Sequence, residues 1–187
     1  MTATFQPTQQ ATWQVDPTHT DVEFAVRHLM ISTVKGRFSN VTGSASFNDS
    51  DPRSVALEVT IPVAAIDTGV EQRDNHLRSA DFFDVANHAA ITFKAKRIDG
   101  TIGERFRLIG DLTIRGTTRE VALDVTLEGE GKDPWGNQRR GYSATGKIDR
   151  RDFGLTWNQA LETGGVAVGH DVKITIHVEL MRPLALA

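Results

Sequence analysis

The densest run of reactive side chains is Arg73-Asp74-Asn75-His76, followed closely by Asp81-Phe82-Phe83-Asp84. Asp74, His76 and Asp81 are of the types that donate and accept protons in general acid–base chemistry. The same cluster also reads as a set of ion pairs and caps, with Arg73 as the cation, that pins a short helix in place. The surrounding sequence favours this second reading. It contains no G-x-S-x-G, no phosphate-binding glycine loop and no nucleotide fingerprint. There is no cysteine, which removes disulfides, thiolate zinc sites and cysteine nucleophiles. The six histidines (His19, His28, His76, His88, His170, His177) include no H-x-H or H-E-x-x-H pair, so a metal site would have to assemble in space. The expectation is no catalytic residue, no metal and no required cofactor.

Alternation dominates the elements that would position these groups. Thr20, Val22, Phe24 and Val26 alternate with Asp21, Glu23, Ala25 and Arg27. The same period of two recurs at 55–61, 106–114, 121–127 and 172–178, with weaker runs at 36–47, 91–98 and 141–148. Each run has one apolar and one largely polar face, the pattern of half-buried antiparallel strands. Turn clusters at Asp49-Ser-Asp-Pro52, Asp99-Gly100 and Asp133–Asn137 separate them, and Arg115-Gly-Thr-Thr118 reads as a tight hairpin. Eight or nine meandering strands favour a closed barrel or a sandwich. Gly36, Gly43, Gly110 and Gly146 fall inside strand runs, where glycine marks bulges or bends. One segment is helical in pattern, near 69–79, with Thr68 and Glu71 spaced as a capping box. A second irregular stretch, 150–165, carries Phe153, Leu155, Trp157 and Leu161 and suits a lid.

Composition bounds the rest. The chain has 187 residues, a net charge of −3 and 39% hydrophobic residues. That fits one domain with a sizeable core and gives no reason to expect nucleic acid as partner. Residues 1–12 are polar, with neither a basic start nor an apolar run, and read as a loose tail before a single domain over 13–187. No apolar run is long enough for a membrane-spanning helix, so stable membrane insertion is not expected. In an eight-stranded barrel the interior either fills with side chains or holds a small apolar ligand, and alternation alone leaves both open.

Several blocks, taken together and in order, carry a resemblance. They are Trp13–His28 (WQVDPTHTDVEFAVRH), Val34-Lys-Gly-Arg-Phe38, Ile66-Asp-Thr-Gly69, Arg73-Asp-Asn-His-Leu77 running on to Asp81-Phe-Phe-Asp84, Gly110–Thr118 (GDLTIRGTT) and Arg151-Asp-Phe-Gly154. They resemble the YceI-like family over residues 13 to 182. The resemblance implies an all-β fold: an extended, lipocalin-like, eight-stranded antiparallel barrel with a long apolar interior. It also implies that this interior binds a polyisoprenoid or related long-chain amphiphile, such as a polyprenyl lipid or an isoprenoid quinone. On that basis Phe24, Val26, Phe38, Leu57, Val59, Phe93, Leu112 and Ile114 are expected to line the interior. Phe82, Phe83, Phe153, Leu155 and Trp157 are expected at its mouth, with Arg73, His76 and Arg151 as polar candidates there. The expected role is sequestration or transport of the lipid. The alternative is an enzyme acting on a prenyl or quinone lipid through Asp74, His76 and Asp81. Many relatives in the family are exported; the polar start of this chain sets the expectation at cytoplasmic. A homodimer stays open.

Overall fold

A computed structural model describes residues 11–48, 51–100, 104–162 and 164–183. The strands are β1 (Ala11–Val15), β2 (Asp21–His28), β3 (Ser32–Phe38), β4 (Thr42–Asn48), β5 (Asp51–Pro62) and β6 (Ile66–Asp67), followed by β7 (Ala90–Asp99), β8 (Arg105–Ile114), β9 (Thr117–Lys132), β10 (Gln138–Asp149) and β11 (Val168–Arg182). One α-helix, α1 (Glu71–Arg78), and two short 3-10 turns, at Val63–Ala65 and Arg150–Phe153, interrupt them. Among the described residues no helix is long and apolar enough to cross a membrane. The polar tail expected over 1–12 lies outside the described residues except for Ala11 and Thr12, which already belong to β1.

These segments make a closed antiparallel barrel of eight staves. β11 pairs with β10 on one side; on the other it pairs with β2 along its first half and with β1 near its end. β1 and β2 are thus one stave, broken between Val15 and Asp21. β3 and β4 form the next, broken between Phe38 and Thr42, with β3 against β2 and β6, and β4 against β1 and β5. Antiparallel neighbours complete the ring through β5, β7, β8, β9 and β10, with β6 and α1 lying in the connection from β5 to β7. Closure removes the open sheet edge that a meander of this length would otherwise expose. The ends of the barrel differ. One carries α1, the 3-10 turn at Arg150–Phe153 and the β2–β3 and β8–β9 turns. The other carries the β4–β5, β7–β8 and β9–β10 turns and the end of β11.

Two strand glycines have a steric cause. A Cβ on Gly110 would lie 2.4 Å from the Phe93 ring and 2.6 Å from the Lys94 carbonyl oxygen; a Cβ on Gly36 would lie 2.4 Å from the Phe24 ring. Gly110 also sits at a bulge, where the register slips between Ala95 and Arg97. Gly36 and Gly43 lie in unbroken register, so the bend expected there is instead room for a neighbour.

The break between β1 and β2 is held by an ionic knot. Asp16 is buried; its Oδ1 accepts from the Thr18 amide and hydroxyl at 2.9 and 2.6 Å. Arg139 Nη1 donates to Asp16 Oδ2 at 2.5 Å and to Glu179 Oε1 at 2.6 Å, and its Nε donates to Asp133 Oδ2 at 3.0 Å. Burial alone would raise the Asp16 carboxyl, but the hydrogen bonds from Thr18, His19 and Arg139 override it and hold it well below the usual carboxylate range. A carboxyl with a lowered folded pKa stabilises the fold above its unfolded value, and that contribution is lost as pH falls through the folded value. Asp16→Asn is therefore expected to cost about 2 kcal/mol near neutral pH. The deficit should shrink in acid, as read by urea unfolding at about pH 7 and about pH 3. An equal deficit at both pH values would show that the carboxylate charge is not what holds the junction.

Candidate functional site

The inward rows of the staves enclose an elongated cavity of about 250 Å³. The surface facing it is apolar, although Thr20, Glu23, Tyr142 and Arg150 stand among the residues around it. Its lining reaches from Phe47, Tyr142 and Leu180 at the open-turn end to Leu77, Phe82 and Leu155 under the helix and lid. Along β11 the lining runs from Val168 to Leu180. At ~3.3 Å per residue that is about 40 Å of strand, or roughly 30 Å along the axis for the usual barrel tilt. The space suits an extended chain better than a compact molecule.

Of the apolar residues singled out in the sequence, Phe24, Val26, Phe38, Leu57, Val59, Phe93, Leu112 and Ile114 all line this space, as do Phe82, Phe83 and Leu155. Phe24 and Phe38 approach at 5.6 Å between ring centres, and Phe83 stands edge-on to Phe38 at 5.8 Å. Phe153 and Trp157 do not line it. Phe153 is fully buried in the 3-10 turn that ends at Gly154, whose φ of 75° reverses the chain. Trp157 packs outside the lining, edge-on to His76 at 4.8 Å and tilted against Phe82 at 5.2 Å.

The polar candidates lie outside the cavity as well. Arg73 pairs with no carboxylate among the described residues: its Nε donates to Thr68 Oγ1 at 2.7 Å and its Nη2 to the Thr68 carbonyl at 2.8 Å. His76 Nε2 and Asp81 Oδ2 are 2.9 Å apart on the surface. Arg151 is exposed and bonded to Asp149. That bond is the main reason the Asp149 carboxyl falls to about 2, against a smaller opposing effect of burial. Asp74 is buried and accepts from the Thr68 amide at 3.0 Å and hydroxyl at 2.5 Å. This replaces the expected capping box. Thr68 gives its hydroxyl to Asp74 rather than capping the helix, the N-cap is Val70, and no side chain bonds it. The acid–base trio Asp74, His76 and Asp81 is thus engaged in pinning α1, and none of the three faces the cavity. Arg78 finishes the attachment by donating to the Ala64 and Ile66 carbonyls.

Two features had no clear signal in the sequence. Arg150 is only 4% exposed, and its guanidinium donates to three main-chain carbonyls: Gly169 at 2.9 Å, Leu155 at 2.6 Å and Trp157 at 2.8 Å. It thereby ties the lid segment to the start of β11. Burial pushes the Arg150 guanidinium below its usual value, with Asp149 acting the other way. Asp16, His19 and Glu179 also converge, their ligand atoms within 4.8 Å of one another. Arg139 already donates to both carboxylates, so a cation there would have to displace a guanidinium.

A closed eight-stranded barrel with an apolar interior and a helix-and-loop lid defines the class. The chain belongs to the YceI-like domain family, whose model matches residues 13–180. It is 41% identical to a UPF0312 protein of Staphylococcus epidermidis over 165 residues, covering 88% of this chain and 94% of that one. Among solved structures it is similar to the Campylobacter jejuni YceI protein, with a TM-score of 0.71 at 32% identity, covering 84% of this chain and 90% of that one. It shares its fold with a polyisoprenoid binding domain from Saccharophagus degradans, with a TM-score of 0.66 at 15% identity, covering 94% and 100%.

The lid attachment is testable. Arg150→Met keeps the stem but strands three buried carbonyls, at an expected cost of about 3 kcal/mol. Hydrogen exchange over 154–168 should accelerate far more than in the barrel staves. Unchanged exchange in that segment would show that the guanidinium does not hold the lid.

Proposed function

We propose that the protein binds and carries a long-chain isoprenoid-type lipid, a polyprenyl chain or an isoprenoid quinone, inside its barrel, and that it does so without catalysing a reaction. The observation that carries this reading is the cavity itself, elongated and with an apolar surface facing it. Burial of a chain there would contribute about 0.8 kcal/mol per methylene, so affinity can build from length with few polar contacts. The fold shared with a domain described as polyisoprenoid binding supports the isoprenoid assignment. The enzyme alternative finds less support, because Asp74 and His76 are occupied with local partners and the trio faces away from the interior. The proposed carrier needs no cofactor for this role.

Organic extraction of the purified protein followed by lipid mass spectrometry should recover a long-chain species in near-stoichiometric amount. Ala144 is buried and lines the cavity, so Ala144→Trp should fill the space and abolish both recovery and binding of added polyprenyl lipid. Circular dichroism checks that the barrel still forms. Absence of lipid from the wild type, together with no uptake of added lipid, would sink the carrier reading.

A further inference from the structure

The lining described above has no polar surface, so a ligand with a polar head must place it at one end of the barrel. The lid end offers little. Arg73, His76 and Arg151 are bonded locally and lie off the lining, and Arg150 already donates to three carbonyls. The opposite end differs. Tyr142 pairs with Val178, Arg140 with Leu180 and Gln138 with Arg182. Tyr142, Val178 and Leu180 line the cavity, so by the period of two Arg140 and Arg182 are the next inward positions. Both guanidiniums stack on the buried Trp13, Arg140 at 4.8 Å and Arg182 at 5.0 Å from the ring centre. Arg140 also lies 6.0 Å from the Phe47 ring centre.

We infer that this end is a head-group collar, in which Arg140 and Arg182, oriented on Trp13 beside Tyr142, hold the anionic oxygens of a long-chain carboxylate or phosphate. The inference rests on the carrier reading and adds the chemical class of the head. Stacking fixes the plane of each guanidinium and leaves its edge free to donate. Each guanidinium has five N–H donors. Arg182 donates to Gln138 Oε1, and among the described residues no carboxylate pairs with it. Arg140 Nε donates to Glu130 at 3.1 Å, a largely exposed side chain, which leaves its other nitrogens for a ligand. Two such forks side by side match carboxylate and phosphate oxygens, and repel an ammonium. Burial also holds the Tyr142 phenol above its usual value, against the opposing pull of the neighbouring Arg140 guanidinium.

The test compares four ligands of one chain length: hexadecanoic acid, hexadecyl phosphate, hexadecanol and hexadecylamine. The wild-type protein should bind the acid or the phosphate at least about tenfold more tightly than the alcohol, with the amine weakest. The tighter of the first two identifies the head. In the double variant Arg140→Gln/Arg182→Gln the anionic ligands should fall to the level of the alcohol, whose own affinity should move less than about twofold. Equal binding of acid, phosphate, alcohol and amine by the wild type would overturn the collar and leave the carrier reading standing. So would an equal loss for all four in the double variant. If none of the four binds, the collar falls, and the carrier reading is decided separately by recovery and uptake of polyprenyl lipid. The wild-type series decides even where the double variant does not fold.

Discussion

Closure of the barrel depends on how Asp16 and Arg139 meet. β11 must pair with two successive strands on one side, and the chain between them, Asp16 to Thr20, turns away from the ladder. A break there would leave buried polar groups unsatisfied and an opening in the wall. Asp16 closes its own turn through Thr18, while Arg139 on β10 reaches it and also bonds Glu179 on β11 and Asp133 beyond β9. One guanidinium thus connects three stretches of chain remote in sequence. A buried pair gains its worth where the remaining lone pairs are also satisfied, and here Asp16 further accepts from the Thr18 amide and hydroxyl and meets His19. Thr20 completes the junction by accepting from the Glu179 amide.

With the wall closed, the interior follows from residue size. Large rings such as Phe24 and Phe93 lie over glycines on the next stave, at Gly36 and Gly110, so they pack along the wall rather than across the lumen. That arrangement keeps an eight-stranded barrel hollow, where side chains of the same total volume aimed at the axis would fill it. The two ends then differ in chemistry. One is shut by aromatic and main-chain contacts around Arg150, Phe82 and Trp157. The other brings Arg140 and Arg182 to the end of the apolar lining. An apolar tube with one shut end and one cationic end is asymmetric in a way that would fix the direction of a bound amphiphile.

Much of this was legible in the residues. The period of two marks the staves and their apolar faces; that Phe38, Val59 and Leu112 line a cavity is what the family resemblance implies, because alternation alone fits a filled interior equally well. The helix near 69–79 was also legible, although its capping was not: Thr68 and Glu71 have the right spacing, but Asp74 sits closer to the Thr68 hydroxyl once the chain leaves β6. In the lid, the positions of Phe153 and Trp157 off the lining are not legible, because apolar residues in an irregular segment carry no periodicity to orient them. Gly154, in the left-handed region, turns the two away from the lumen. The knot at Asp16 and the pair of arginines on Trp13 were illegible for another reason. Asp16 and Trp13 lie more than a hundred residues before the arginines they meet, and only barrel closure makes them neighbours.

If the protein carries a lipid as proposed, the barrel is hollow and holds an extended apolar chain. The most direct measurement is an experimental electron-density map of protein purified without delipidation. The expected result is continuous, elongated density along the axis, from the level of Tyr142 to that of Leu155, in contact with Phe38, Phe93 and Ile174. An interior closed by side chains from opposite walls, or one holding only discrete water molecules, would contradict it.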